Sequence, residues 1–376
     1  MDFAFSDEQE EFRGTLRRFF EEKAPSAEVR RLMETSEGYD AAVWKQMAEE
    51  LGLQGIQLPE AYGGQGFGFL ELGIVLEEMG RVLFPSPFYP TVCLAANAIL
   101  NAGSEAQKQA LLPGIAAGET LATLALYEDS GRFDAAGITL EAVPDGGGYR
   151  LDGHKSFVID GQVADCLVVA ARLGGSAGID GITLVTVRSD DPGVTATPLE
   201  TMDEIRKQAR IEFSGARAEI LGEEGAGWPP LAKTLDQAVI MLAAEMLGAS
   251  QKCLEMAVEY AKVRVQFARP IGSFQAIKHK AAEVLLEIEL AKSAGYYSWW
   301  VADEREEELA EAASVAKSVC ADTFLLAAAE GIQIHGGIGF TWEHDAHLYL
   351  KRAKGSEILF GDATAHRARL ADQLGL

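Results

Sequence analysis

The stretch Arg264-Val-Gln-Phe267-Ala-Arg-Pro270-Ile271-Gly-Ser-Phe-Gln275 stands between two long apolar patterns of helical period. A basic side chain suits the negative end of a helix dipole, and a proline close behind it stops the helix. The Arg264 guanidinium can also form a two-pronged, charge-assisted hydrogen bond to a pyrophosphate, and the Phe267 ring can pack on a flat ring system. Gln275 can hydrogen-bond polar atoms of the same ligand. The stretch therefore predicts either a plain helix end or a corner that binds a dinucleotide.

A glycine-rich segment, Gly331-Ile-Gln333-Ile-His335-Gly336-Gly337-Ile-Gly339-Phe340, ends another helical pattern. Glycines allow a diphosphate to approach the backbone closely, where free N–H groups can bind it. A glycine-rich helix C-cap explains the same residues equally well. The segment indicates anion binding only in combination with the Arg264 stretch.

Along the whole chain the sequence pattern changes twice, from helical spacing to short strand-like runs near residue 119 and back to helical spacing near residue 228. This predicts an α+β fold, mainly α, with an N-terminal helical domain, a middle antiparallel β-domain and a C-terminal helical bundle. The predicted boundaries are 1–118, 119–225 and 226–376. Helical spacing predicts helices over 41–52, 68–82, 88–102, 234–266, 273–303, 306–334 and 344–354, with a last one from 361. Short apolar runs between glycines and prolines predict strands over 120–126, 149–151, 156–159, 166–171 and 181–187, with a hairpin turn over 144–148.

Composition excludes several classes of function. The 376 residues carry a formal net charge of −24, which disfavours binding to nucleic acid or to an anionic membrane surface. The four cysteines are far apart, so neither a disulfide framework nor a zinc site is expected. The acidic N-terminal stretch lacks the apolar region of a signal peptide, and no membrane span is expected. We expect a cytoplasmic protein with no bound metal.

The two C-terminal segments resemble motifs of the flavin-dependent acyl-CoA dehydrogenase family, R-x-x-F-G-x-P-I-x-x-x-Q and Q-I-x-G-G-x-G-Y/F. Pro59 to Gly66 and Glu77 to Gly80 are similar to two further elements, P-E-x-Y-G-G-x-G and E-E-x-G, whose role we interpret as architectural. The resemblance implies FAD as cofactor, and it implies a set of FAD-binding residues: Arg264, Phe267, Gln275, Gln333, Gly336 and Gly337.

The resemblance also implies an activity and partners. The family oxidises an acyl-CoA thioester to its trans-2-enoyl form, in lipid or steroid catabolism, and passes electrons to electron-transfer flavoprotein or a similar acceptor. In the family the glycine segment reaches the FAD of a neighbouring subunit, which implies a homo- or hetero-oligomer, a dimer or a tetramer. The chemistry needs a carboxylate base whose pKa is raised towards the working pH.

The position of that base departs from the family pattern. Phe360 stands where the Y-E-G-T motif has its catalytic Glu, and Ala238 stands where some relatives place the base instead. Glu245 lies seven residues after Ala238, on the same helical face and in an apolar run, which makes it the candidate catalytic base. The alternative for Glu245 is a structural ion pair with an Arg or Lys from another helix or subunit. Asp362 is a second candidate base, or else a helix N-cap.

The middle segment departs as well. The family's T-E-P-x-x-G-S-D loop corresponds to residues 126–134, and its W-I-T/S-N to residues 157–160, where Ile159 replaces a hydroxyl that hydrogen-bonds flavin. Arg206, Lys207 and Arg210 are candidates for CoA phosphate contacts, or else part of a surface strand. Two alternatives to a self-sufficient enzyme stay open. One is a half-site or non-catalytic partner subunit of a heteromeric enzyme, as in steroid-degrading relatives. The other is a helical scaffold without activity.

Overall fold

The structure is a computed structural model that describes residues 5–376. The first helix, α1 (Asp7–Lys23), begins with a capping box in which the Ser6 hydroxyl accepts from the Gln9 N–H and the Gln9 side chain accepts from the Ser6 N–H. The helices that follow are α2 (Ser26–Met33), α3 (Ala41–Glu49) and α4 (Phe69–Arg81). A buried π-helical segment, Tyr89–Ala96, leads into α5 (Asn97–Ala102), and α6 (Glu105–Ala116) comes next.

Seven strands of the middle segment form one sheet. They are β1 (Ala122–Ala125), β2 (Ala142–Asp145), β3 (Gly148–Ile159), β4 (Cys166–Arg172), β5 (Ile182–Arg188), β6 (Val194–Pro198) and β7 (Gln208–Leu221). The order is β1-β4-β5-β7-β3-β2, with β6 paired to β7. All pairs are antiparallel except β1 with β4, which is parallel. The predicted antiparallel sheet therefore needs correction for this one pair.

The C-terminal part returns to helices. These are α7 (Trp228–Val263), α8 (Gln275–Glu304), α9 (Leu309–His335), α10 (Ala346–Ile358) and α11 (Ala363–Gln373). Between α7 and α8 lies a two-residue hairpin of β8 (Val265–Gln266) and β9 (Arg269–Pro270). The helical segment Glu306–Phe340, which includes α9, is long and apolar enough to cross a membrane, but 67% of its apolar stretch is buried, as is typical of a core helix. The predicted fold class is confirmed.

Several element boundaries were predicted wrongly. Helix α7 begins six residues before the predicted Thr234, with Pro229 and Pro230 in its first turn. Proline is tolerated there because the N–H groups of a first turn have no partner within the helix. Helices α2 and α6 and strands β2, β6 and β7 were not predicted. The inward residues of β7 include three alanines, which are only weakly apolar, so the alternation of apolar and polar residues that predicts a strand is weak there. The hairpin turn over 144–148 is confirmed, since Asp145 pairs with Gly148.

Contacts divide the chain into two compact units. The first unit comprises residues 1–30, 69–84 and 239–376, and the second comprises residues 31–68 and 85–238. The division falls within α7, between Ala238 and Val239. The core of the second unit's sheet is built from inward residues of β3, β4, β5 and β7. The three predicted domain boundaries stay a prediction.

Helices α4 and α7 cross with their backbones in contact. A Cβ atom on Gly248 would lie 1.7 Å from the Glu77 carbonyl oxygen, and one on Gly80 would lie 2.0 Å from the Glu245 carbonyl oxygen. Glu77 and Glu78, in the E-E-x-G element, are buried. Their carboxylates accept hydrogen bonds from the guanidinium of Arg13 at 2.6 Å and of Arg17 at 2.7 Å, respectively. These contacts are all structural, as expected for an architectural element.

Candidate functional site

A tight corner joins α7 to α8. The chain turns at Phe267 and Ala268, which both adopt left-handed backbone angles, with φ of 53° and 61°. Two positive φ values at the tip are typical of the type I′ turn, whose twist matches a two-residue hairpin. The Ile271 N–H donates to the Arg264 carbonyl oxygen at 2.8 Å and closes the hairpin. The corner is therefore fixed by backbone geometry.

The side chains of this corner face solvent. The Phe267 ring is 87% exposed, although its edge meets the Phe274 ring with centroids 6.0 Å apart. Arg264 and Gln275 are also exposed, and no side-chain hydrogen bond or ion pair of either occurs among residues 5–376. An exposed aromatic ring beside polar groups that have no internal partner indicates a surface that another molecule covers.

The end of α9 lies at the same corner. Ala257 and Ala261 of α7 pack with Ile334 of α9, and two partly buried residues beyond the hairpin, Ile271 and Ile277, pack against this cluster. The rings of Tyr260 and His335 stack with centroids 4.6 Å apart. The fold thus brings the Arg264 stretch and the glycine segment together within one protomer.

The glycine segment has no side chain over its backbone at residues 336 and 337, although the Gly336 N–H donates to the Ile332 carbonyl oxygen. Gly336 ends α9 with φ 64° and ψ −143°, a conformation that belongs essentially to glycine. A Cβ atom on Gly336 or Gly337 would meet no heavy atom within 4 Å in the described residues. Gln333 is exposed, and its side-chain amide has no hydrogen-bond partner among residues 5–376. Open space over the bare backbone, next to an unpaired guanidinium and an exposed ring, fits the diphosphate and rings of FAD.

Glu245, unlike the exposed residues of the corner, is buried and paired. Its side chain is buried in α7 and forms an ion pair with the guanidinium of Arg352 on α10, which is buried as well. A buried carboxylate paired with a guanidinium from another helix is the structural role that the sequence left open for Glu245. Its role as a catalytic base stays a prediction, and the contacts that the structure describes favour the structural alternative.

The two positions where relatives carry the base contain no carboxylate here. Phe360 is buried and left-handed, with φ 58°, and its carbonyl oxygen accepts from His366 Nε2 at 2.9 Å. The Ala238 carbonyl oxygen accepts from the Tyr89 hydroxyl at 2.9 Å. Asp362 accepts from the Ala365 N–H at 2.8 Å and is the N-cap of α11. The alternative interpretation of Asp362 is therefore confirmed.

A buried ion pair fixes the loop at residues 126–134. The Lys155 ammonium, fully buried, donates to the Glu128 carboxylate at 2.7 Å and to the Leu126 carbonyl oxygen at 3.1 Å. Burial lowers the pKa of Lys155 to about 8 even beside this carboxylate. The sequence gives little sign of the pair, because a lysine at the middle of a strand usually faces solvent. Directly after Lys155, a bulge in β3 places Phe157 at φ 54°.

The basic group near β7 is engaged within its own unit. The Arg206 side chain is buried, with its guanidinium 5.5 Å from the centre of the Tyr89 ring. Lys207 donates to the Met33 carbonyl oxygen, and Arg210 pairs with Asp129 at 3.2 Å. These partners count against a CoA phosphate site for all three cations, but only Arg210 lies on a strand, since Arg206 and Lys207 precede β7 and Arg206 is buried.

Sequence profiles of one family match consecutive parts of the chain. The profile "Acyl-CoA dehydrogenase, N-terminal domain" matches residues 6–119, the middle domain matches 123–216, and the C-terminal domain matches 225–375. Acyl-CoA dehydrogenase IpdE2 of Mycobacterium tuberculosis is 36% identical over 350 residues, which cover 93% of this chain and 92% of that protein.

Two solved structures named for paired components are similar over nearly the whole length. A variant of the steroid ACAD Tcur3481-Tcur3483 has 34% sequence identity and a TM-score of 0.88, with 98% of each chain covered. The ChsE4-ChsE5 complex from Mycobacterium tuberculosis has 27% identity and a TM-score of 0.88, with 100% of this chain and 99% of that chain covered.

Proposed function

Since this chain belongs to the acyl-CoA dehydrogenase family, we propose that it binds FAD and takes part in the α,β-dehydrogenation of an acyl-CoA thioester. The observation that carries the proposal is the corner between α7, α8 and α9, where unpaired polar side chains and bare glycines lie together. The family as a whole supports FAD-linked acyl-CoA oxidation. The residues that bind FAD in this chain belong to the proposal.

Each residue of the corner has a role that its chemistry allows. The Arg264 guanidinium and the Gly337 N–H bind the diphosphate, and Gly336, whose own N–H donates to the Ile332 carbonyl oxygen, lets the ligand approach the backbone closely. The Phe267 ring packs on a flat ring of the ligand, and Gln275 and Gln333 hydrogen-bond its polar edges. Bound FAD supplies the hydride acceptor. In the family the glycine segment contacts the FAD of a neighbouring subunit. Because the Arg264 stretch lies at the same corner as the glycine segment, we propose that Arg264 and Phe267 contact the same neighbouring FAD.

The catalytic base decides between two forms of the proposal. In the first form Glu245 is the base, which requires its carboxylate to leave Arg352 when substrate binds. In the second form this chain is the half-site partner of a heteromeric enzyme, and another subunit supplies the base. The buried Glu245–Arg352 pair and the lack of a carboxylate at 238 and 360 favour the second form. The names of the two similar structures suggest the same arrangement.

Partners and location complete the proposal. Leu285, Leu286 and Leu290 of α8 are exposed, and a row of large apolar side chains on one helix is typical of a protein interface. We propose that this face packs against another subunit in a homo- or hetero-oligomer, dimer or tetramer. Acyl-CoA as substrate, electron-transfer flavoprotein or a similar acceptor, and a cytoplasmic location stay part of the proposal.

The test begins with purification of the chain alone and together with candidate partner subunits. A flavin absorbance band near about 450 nm reports bound FAD, and an electron-acceptor assay with acyl-CoA thioesters of different bulk reports activity. We expect Arg264→Gln to weaken FAD binding about 10- to 100-fold, because a charge-assisted hydrogen bond is lost. Arg367→Gln is the matched control, since Arg367 is exposed but pairs with Asp322. Equal FAD affinity in the two variants would refute the proposed site.

A second variant separates the two forms of the proposal. Glu245→Gln keeps the size of the side chain and removes the base. If the variant, purified together with a partner subunit, retains FAD and its flavin is still reduced by substrate at the wild-type rate, Glu245 is not the base and the partner-subunit form stands. A chain that is yellow and active when purified alone would reject the partner-subunit form.

A further inference from the structure

Arg269 lies on the same face of the hairpin as Arg264. Gln266 pairs with Arg269 across the hairpin, and the Arg264 carbonyl oxygen accepts from the Ile271 N–H. Side chains alternate along a strand, so the residues at 264, 266, 269 and 271 share one face. Diagonal neighbours on such a face are about 7–8 Å apart. The two guanidinium groups can therefore reach one ligand together.

The Arg269 guanidinium is already oriented. It lies over the Phe274 ring, 4.0 Å from the ring centre, and the edge of that ring also meets Phe267. Stacking of this kind engages the face of the guanidinium and leaves its in-plane N–H donors available. Among residues 5–376 none of these donors has an acceptor and no carboxylate pairs with Arg269.

The charge of the protein makes this pair of arginines unusual. With a formal net charge of −24, an exposed cation has many acidic neighbours available, and Arg305, Arg367 and Lys280 all have such a partner. Arg264 and Arg269 have no such partner among residues 5–376, and they flank the tip of the same short hairpin. Two unpaired cations on one rigid face suit a ligand with two adjacent negative charges.

We propose that Arg269 is a second diphosphate-binding residue, that Arg264 and Arg269 each bind one phosphate of a dinucleotide diphosphate, and that Phe274 positions Arg269 for this. The inference rests on the proposed function, because it takes FAD as the dinucleotide. CoA carries an adenosine diphosphate of the same chemistry, and the test must distinguish the two sources.

The experiment measures FAD dissociation from the purified FAD-bound protein by the recovery of flavin fluorescence, at several salt concentrations. We expect Arg269→Gln to weaken FAD binding about tenfold or more and to reduce its salt dependence, since one charge contact is lost. Arg269→Lys restores only part of the affinity, because an ammonium group cannot fork or stack as a guanidinium does. Phe274→Leu weakens FAD binding while the salt dependence stays near that of the wild type.

Arg305→Gln is the matched control. Arg305 also stacks on an aromatic ring, that of Trp300 at 5.3 Å, but it pairs with Glu308. Equal FAD affinity in the Arg269→Gln and Arg305→Gln proteins overturns the inference. So does an Arg269→Gln protein that keeps FAD but binds CoA more weakly, because the arginine then serves CoA. If Arg264→Gln is also without effect on FAD, the proposed function fails. If only Arg269→Gln is without effect, this inference alone fails.

Discussion

Helix α7 and the hairpin that follows it contain two charged regions that differ in burial and in pairing. Around Glu245 the helix is buried, its carboxylate is paired with Arg352, and the neighbouring backbone touches α4. Around Arg264 the chain is exposed, the guanidinium has no partner in the described residues, and the glycines nearby face open space. Polar groups that the protein itself satisfies stabilise the fold. Polar groups on a rigid surface that have no partner within the described residues are available to a ligand, which is the basis of the proposed FAD site.

The largest expected effect comes from a pair of glycine substitutions, one in each region. Gly248→Ala puts a methyl group 1.7 Å from the Glu77 carbonyl oxygen, and two helix backbones must separate to admit it. We expect the free energy of unfolding to fall by more than about 4 kcal/mol, within the range of severe core disruption. Urea denaturation at a fixed protein concentration measures the change.

Gly337→Ala is the counterpart at the exposed corner. No described heavy atom lies within 4 Å of the added methyl group, so the unfolding free energy should change by less than about 0.5 kcal/mol. FAD binding should weaken about tenfold or more, because the methyl group keeps a diphosphate from the backbone. A Gly337→Ala protein that unfolds easily, or that binds FAD as the wild type does, would break the comparison.

The next largest effect tests the ion pair in the buried region. Arg352→Met leaves the Glu245 carboxylate buried without its guanidinium, which should lower the free energy of unfolding by about 3–5 kcal/mol. The double substitution Glu245→Leu with Arg352→Met removes both charges and should recover most of the loss. Denaturation of the two single variants and the double variant forms a thermodynamic cycle. A coupling energy near zero would show that the pair contributes no structural stabilisation.

The Glu128–Lys155 pair is a second buried ion pair, in the sheet, whose contribution to stability can be measured. Burial alone would raise the pKa of Glu128, but the Lys155 charge and hydrogen bonds from Lys155, Thr139 and Leu140 outweigh it and lower that pKa. The resulting stabilisation is present above the unfolded pKa of about 4.3 and is lost as pH falls through the lower folded pKa. At pH 7 we expect Lys155→Met to lower the unfolding free energy by about 3 kcal/mol.

The pH dependence separates the charge interaction from packing. Between pH 7 and pH 3 the difference in unfolding free energy between wild type and Lys155→Met should shrink, since Glu128 becomes protonated in both unfolded chains and in the folded variant that lacks the Lys155 charge. A Glu128→Gln protein should lose the same pH-dependent contribution. A difference that stays constant over this range would mean that Lys155 acts through packing alone.

The smallest effect concerns the hairpin tip. Ala268 holds φ 61°, which costs an L-residue about 1–2 kcal/mol, whereas glycine loses about 0.5–1 kcal/mol more conformational entropy on folding. Ala268→Gly should therefore raise the unfolding free energy by up to about 1 kcal/mol with little change in FAD affinity. A marked loss of FAD affinity would mean that the strained turn helps to present Phe267.

The sequence predicts the corner better than it predicts the interior of the bundle. Arg264, Phe267 and Gln275 lie within twelve positions of each other, so local spacing was enough to predict that they form one corner. The partner of Glu245 lies 107 positions away, and no local pattern links the two residues. The same apolar run that suggested a base of raised pKa is the run that buries an ion pair. Strand β7 was missed because its inward alanines carry little apolar signal, and because its partners β3 and β5 lie far away in the sequence.

The loop at Leu359 to Asp362 has a consequence for the history of the enzyme. Several features of the loop act on its main chain: His366 binds the Phe360 carbonyl oxygen, Gly361 adopts φ 95°, and Asp362 caps the helix that follows. These main-chain features do not require a particular side chain at 360. A lineage could exchange a proton-transferring residue for an aromatic one there while the scaffold persists, and duplicated subunits could divide the chemistry between them.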